Sequence, residues 1–115
     1  MRILFVENHD VFAKTVVEQF LSNHEVTLVP TIRAALRFLT SDTGVDAVLV
    51  DFDLDDGKGT EVVRHIRDRG LDTIVIAISA HARGNHELLE AGADEMCAKA
   101  SFQRISEVLE HASSL

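Results

Sequence analysis

Five short stretches of this chain are apolar almost from end to end, and the segments between them carry apolar residues at helical spacing. The stretches are Ile3-Leu4-Phe5-Val6, Val26-Thr27-Leu28-Val29, Ala47-Val48-Leu49-Val50, Ile74-Val75-Ile76-Ala77 and Met96-Cys97-Ala98. A strand with one face in water alternates apolar and polar side chains. A strand without that alternation needs cover on both faces. Strands separated by helices cannot pair as hairpins, so they are joined by right-handed crossovers and lie parallel. This alternation constrains the fold more than any single motif does.

The punctuation agrees with it. Strands are expected over residues 2–7, 25–29, 47–50, 73–78 and 95–98. Phe12, Val16, Val17, Phe20 and Leu21 form one helical stripe. Pro30 closes the second strand, and Thr31 is an N-cap for a helix with Ile32, Ala35, Leu36 and Leu39 on one face. Residues 53–59 hold three acids and two glycines and read as a loop. A third helix turns Val62, Val63 and Ile66 inward and ends at Gly70 as its C′ residue. A fourth helix runs from about Asn85 to Gly92. Ser101 is expected to cap a last helix carrying Ile105, Val108, Leu109 and Ala112. The expectation is one domain over residues 1–115, a doubly wound α/β protein with five βα units.

Composition narrows the function. Of 115 residues 46% are apolar, enough for one ordinary core, and the formal net charge is −8. That charge argues against binding a phosphate backbone or an anionic membrane, and it suits a cation pocket or a basic partner. Cys97 is the only cysteine, which rules out an internal disulfide and suggests a packed, inert thiol. The first apolar run is too short for a signal peptide, and no run is long enough to span a bilayer. A cytoplasmic protein is expected.

In open α/β sheets, sites form beyond the carboxyl ends of the strands, near the point where strand order reverses. Here those ends carry Glu7-Asn8 with Asp10 beyond, Asp51 with Asp53 two residues on, Ser79-Ala80, and Lys99. Taken singly, each has an ordinary explanation as a cap, a strand end or a solvated charge. Together they bring carboxylates, a hydroxyl and an ammonium to one rim. Oxygens from Glu7, Asn8, Asp51 and Asp53 suit Mg²⁺, a hard cation. Asp51 can then act as a carboxylate nucleophile toward phosphorus, with Lys99 offsetting charge and Ser79 donating a hydrogen bond.

These residues resemble the receiver domain of bacterial response regulators, the CheY-like domains of two-component systems. The likeness covers essentially the whole chain. It rests on residues 46–54 (Asp-Ala-Val-Leu-Val-Asp-Phe-Asp-Leu) followed by Gly59, on Glu7, on Ser79-Ala80, on Ala91-Gly92-Ala93-Asp94 and on Lys99. The resemblance implies a flavodoxin-like fold with strand order 2-1-3-4-5. It implies phosphorylation of Asp51 by a histidine kinase or phosphotransfer protein, Mg²⁺ as cofactor, and Asp51, Ser79 and Lys99 as catalytic groups. The domain would be a signalling module rather than an enzyme, assisting its own phosphorylation and dephosphorylation at most. His9, Val11 and Phe12 would face the kinase. The surface from the fourth helix to the last would serve output or homodimer formation. A downstream effector protein or a linked output domain would receive the signal, with no direct nucleic-acid or membrane contact by this domain.

Four positions depart from the family pattern. Asn8 replaces the second acid of the first-strand pair, an oxygen donor without charge. Ala100 stands where a proline usually follows the lysine, so the loop is expected to be trans with Lys99 displaced, or strained. Met96 occupies the aromatic switch position, and the loop after Asp51 gains Asp55 and Asp56. A degenerate receiver acting as a phosphorylation-independent interaction module is therefore the alternative function. A nucleotide enzyme is disfavoured because Gly57-Lys58-Gly59-Thr60 lacks the phosphate-loop spacing. The six histidines are dispersed and read as surface residues, with His9 and His81 nearest the expected site.

Overall fold

Alternate residues of each central strand point to opposite sides of one sheet, and both sides are covered by helices. The structure, a computed structural model, describes residues 1–42 and 44–114; Thr43 and Leu115 lie outside it. Its elements are β1 (Arg2–Val6), α1 (Asp10–Phe20), β2 (Glu25–Val29), α2 (Ile32–Ser41), β3 (Ala47–Val50), β4 (Asp53–Leu54), β5 (Gly57–Lys58), α3 (Thr60–Asp68), β6 (Ile74–Ala77), α4 (Ala82–Ala91), β7 (Glu95–Met96) and α5 (Ile105–Ser113). A 3₁₀ segment, Lys99–Arg104, leads into α5. The parallel sheet has the order β2-β1-β3-β6-β7. Counting only its five strands, this is the expected 2-1-3-4-5.

Leu4, Val6, Val48, Val50, Val75 and Ala77 form one core with α2, α3 and α4, through Ile32, Ala35, Leu39, Val62, Val63, Ile66 and Leu88. Ile3, Phe5, Ala47, Leu49 and Ile76 turn the other way, toward Ala13 and Val16 of α1 and Ile105, Leu109 and Ala112 of α5. This two-sided burial is why β1, β3 and β6 lack polar alternation. Phe102, in the 3₁₀ segment, stacks on Phe5 at 5.8 Å and meets Phe12 edge-on at 5.9 Å, fixing the chain after β7 against α1. Cys97 is buried in the same core, as expected.

Local signals held where short-range chemistry sufficed. Thr31 Oγ1 accepts the Ala34 N–H at 3.1 Å and caps α2. Gly70, at φ +65°, follows the end of α3. Three boundaries differ. α4 begins at Ala82, three residues before Asn85. Ser101 lies inside the 3₁₀ segment and does not cap α5, which starts at Ile105 without a side-chain cap. Residues 53–59 contain a small antiparallel hairpin, pairing Asp53 with Lys58 and Leu54 with Gly57. The hairpin is pinned from outside its own sequence. Leu54 is buried, and the Asp56 carboxylate accepts the Ile32 and Arg33 N–H groups at 2.8 and 3.0 Å, at the open end of α2.

Candidate functional site

The register of β1 on β3 builds the site. Val6 pairs with Val50, and Asp51 N–H donates to Val6 O at 3.0 Å, so Glu7 and Asp51 leave the sheet side by side. This is the switch point, since β2 lies beyond β1 on one side and β6 beyond β3 on the other. Both carboxylates are buried, at 4% residue exposure each. Gly59 makes the approach of α3 possible. A Cβ there would stand 1.9 Å from the Asp51 carbonyl oxygen, and Gly59 N–H donates to Phe52 O at 2.7 Å.

Lys99 arrives from the far edge of the sheet. Its Nζ lies 2.7 Å from Glu7 Oε1 and 3.1 Å from Asp51 Oδ2, and 5.1 Å from the centroid of the Phe12 ring. The Glu7 contact is an ion pair without a well-directed hydrogen bond. There is no cis peptide bond among the described residues. The expectation that a trans bond to Ala100 would displace Lys99 is thus corrected. The 3₁₀ segment, anchored by Phe102, lets the lysine reach both acids.

Two buried carboxyls facing one ammonium do not titrate alike. Burial and the neighbouring Glu7 charge push Asp51 up to about 6, against the pull of Lys99 and of the Phe52 N–H, which donates to Oδ1 at 2.8 Å. Burial raises Glu7 as well, but Lys99 and the two His9 donors outweigh it and hold the group below the ordinary carboxylate value. Burial lowers Lys99, while Glu7 and Asp51 more than reverse that. At neutral pH the pocket therefore holds Glu7 and Asp51 ionised around a charged Lys99.

The other expected site residues are placed as follows. Ser79 is buried at the end of β6; its Oγ accepts the His81 N–H at 3.2 Å and its carbonyl accepts the Lys99 N–H at 3.4 Å. Gly84 admits the first turn of α4 here, because a Cβ would meet Ser79 Oγ at 2.6 Å and Phe52 Cβ at 2.9 Å. Asn8 donates from Nδ2 to Asp55 Oδ1 at 3.0 Å, and its Oδ1 is buried with no hydrogen-bond partner among the described residues. The Asp53 side chain is exposed and paired with Lys58. Asp10 pairs with Lys14 on α1 at 3.0 Å. Met96 is exposed on the outer edge of β7.

Sequence reasoning set His9 among the surface histidines near the site. Its ring is exposed, as that reading expects, and one edge of it also meets the site. Both its backbone N–H and its Nδ1 lie on Glu7 Oε2, at 3.1 and 3.0 Å, and Nδ1 is 3.5 Å from Lys99 Nζ. Adjacency to Glu7 on the loop after β1 was the one available signal.

The donor set fits the Mg²⁺ that such an acidic pocket implies. Glu7 and Asp51 supply ionised oxygens, and the orphaned Asn8 Oδ1 is a buried acceptor in need of a cation or donor. One ligand atom from each of Glu7, His9 and Asp51 lies within 4.8 Å of the others.

Comparison with known proteins agrees with this geometry. The sequence model of the response regulator receiver domain matches residues 3–110. No curated protein matches significantly. Among solved structures, the chain is similar to a DNA-binding response regulator of the LuxR family from Staphylococcus aureus (TM-score 0.85, 16% identity, 96% of this chain and 97% of that one). It is also similar to the receiver domain of a histidine kinase from Arabidopsis thaliana (0.84, 20%, 99% and 90%). A third likeness is to a CheY-like receiver protein from Methanospirillum hungatei (0.78, 21%, 98% and 96%). At such identities these structures speak for the fold. The family match over nearly the whole chain, on a sheet whose switch point carries Glu7, Asp51 and Lys99, means that this chain belongs to the response regulator receiver domains of two-component signalling.

Proposed function

We propose that residues 1–115 form one receiver domain that accepts a phosphoryl group on Asp51 from a histidine kinase or phosphotransfer protein, in a Mg²⁺-dependent reaction. The observation that carries this reading is the Asp51 carboxylate, buried beside Glu7 and held 3.1 Å from Lys99 Nζ.

Each residue has a task. Asp51 is ionised at neutral pH despite its raised pKa, so one carboxylate oxygen can attack phosphorus. The new P–O bond forms as the donor's P–N bond breaks, and the donor imidazole leaves with that electron pair. The Phe52 N–H orients the carboxylate through Oδ1. Lys99, drawn in by both acids, is positioned to meet the charge of the arriving group. Ser79 Oγ, which among the described residues accepts only the His81 N–H, can turn its own proton toward the phosphoryl group. Glu7, Asn8 Oδ1 and Asp51 would hold Mg²⁺, which when bound draws charge from the transferring oxygens. Asp53 would contribute through the loop that follows Asp51, its side chain being engaged with Lys58.

The donor has a place to sit. An apolar depression beside the site is lined by His9, Asp10, Val11, Phe12, Ala80 and Lys99, and Val11 is 80% exposed. Output would pass through the surface from α4 to α5, to an effector protein, a linked output domain or a second copy. Phosphorylation acts there by favouring one of two arrangements. The domain is a signalling module, and the cytoplasm is its proposed location; no helix among the described residues is long and apolar enough to cross a membrane.

Intact mass after incubation with acetyl phosphate and Mg²⁺ tests the proposal. Wild type gains one phosphoryl group and Asp51→Asn gains none. Equal labelling of both proteins, or of neither, refutes it.

A further inference from the structure

The pocket of this chain has one carboxylate fewer than an acidic pair would supply, and it has an imidazole. Asn8 brings an oxygen without charge, so Glu7, Asp51 and Lys99 together carry only one net negative charge. Mg²⁺ depends on charged oxygens and gains little from nitrogen, whereas imidazole suits later first-row cations. The His9 ring is directed at the pocket although it is largely exposed. Its Nδ1 and its own backbone N–H converge on the same Glu7 oxygen, which fixes both the turn and the ring. Its ligand atom lies in one cluster with those of Glu7 and Asp51, within 4.8 Å. Asn8 Oδ1, on the residue between Glu7 and His9, is buried and has no hydrogen-bond partner among the described residues.

We propose that His9 supplies a nitrogen ligand beside Glu7 and Asp51, so that this pocket takes imidazole-binding divalent cations such as Co²⁺ and Zn²⁺ with a selectivity over Mg²⁺ that depends on His9. The inference rests on the cation pocket of the proposed function and specifies its ligand set. Glu7 and Asp51 would hold a divalent ion through oxygens they now offer in part to Lys99, and His9 would give up its contact with Glu7 to turn Nδ1 to that ion. The nitrogen must be unprotonated to do so, with the ring proton on Nε2.

The test uses the metals alone, on the whole chain at pH 7.5. Affinities for Mg²⁺, Co²⁺ and Zn²⁺ are measured by titration calorimetry for wild type, His9→Ala and Asp51→Asn. His86→Ala serves as a control, because His86 pairs with Glu90 one helical turn away and offers a competing surface site. The Co²⁺ absorption bands and the paramagnetic shifts of histidine ring protons give a readout independent of phosphorylation. Loss of an outer-shell partner alone commonly weakens a metal about tenfold or more, so loss of a direct ligand is expected to weaken Co²⁺ and Zn²⁺ by at least about tenfold. Mg²⁺ affinity should change by no more than about threefold. Wild type should show shifted His9 signals, and His86→Ala should behave as wild type does. Unaltered Co²⁺ and Zn²⁺ binding in His9→Ala, with both still lost in Asp51→Asn, overturns the role of His9 and leaves the pocket standing. Cation binding indifferent to Asp51 overturns both.

Discussion

Asp51 makes the folded domain less stable at neutral pH than a neutral side chain would, and the size of that cost can be worked out from the pocket. The carboxyl moves from 3.8 to about 6 because burial and Glu7 oppose its charge more than Lys99 favours it. A raised carboxyl pKa means that the folded state binds the proton more tightly than the unfolded chain does. The group costs nothing at pH below 3.8, and the cost grows as pH rises through the interval and is complete above about 6. A shift of this size corresponds to about 3 kcal/mol. Solvent at the mouth of the pocket screens part of it, and about 1.5 kcal/mol is a reasonable expectation for Asp51→Asn. Lys99 keeps Glu7 as partner in that variant, so no charge is orphaned. In EDTA at pH 7.5, Asp51→Asn should unfold at higher urea concentration than wild type and melt about 6 °C higher. At pH 4 the two should nearly coincide. Added Mg²⁺ should stabilise wild type and narrow the gap at pH 7.5, because the ion relieves the repulsion that the substitution removes. If the variant is no more stable at pH 7.5, or gains equally at both pH values, the electrostatic account of this pocket is wrong.

Further expectations concern what holds the site. Gly59→Ala drives a Cβ against the Asp51 carbonyl and should cost about 3 kcal/mol in urea unfolding, with slower phosphorylation than any remote variant of equal stability. Thr31→Ala removes the α2 cap and should cost about 1 kcal/mol without altering phosphoryl uptake; loss of uptake would show that the hairpin held by α2 governs the site. At the opposite end of the sheet, the hydrogen bonds from Arg2 lower Asp42 to about 2. The stabilisation from that pair is present above pH 3.8 and is lost between 3.8 and 2. An NMR titration should place the Asp42 midpoint near the lower value and return it to the ordinary range in Arg2→Ala.

The apolar runs at residues 3–6, 47–50 and 74–77 were legible because burial on both faces leaves a mark on every residue of a strand. Helical stripes, the Thr31 cap and the Gly70 stop were equally local. From those elements a parallel sheet follows; its strand order, and with it the rim where Glu7, Asp51 and Lys99 gather, came from the family resemblance and agrees with the structure. What remained hidden depends on contacts between segments distant in sequence. Asp55 and Asp56 read as acids near the site; Asp55 does bond the site residue Asn8, but Asp56 caps a helix 23 residues earlier. Lys99 reaches Asp51 across a trans bond because Phe102 anchors the turn on Phe5 and Phe12. The ring of His9, largely exposed, still sets its Nδ1 on Glu7, through a turn that no periodicity announces. Periodic burial is written into each strand by its own residues. The direction of a side chain in a loop is set by whichever partner the rest of the fold brings within 3 Å, and only the assembled structure decides that.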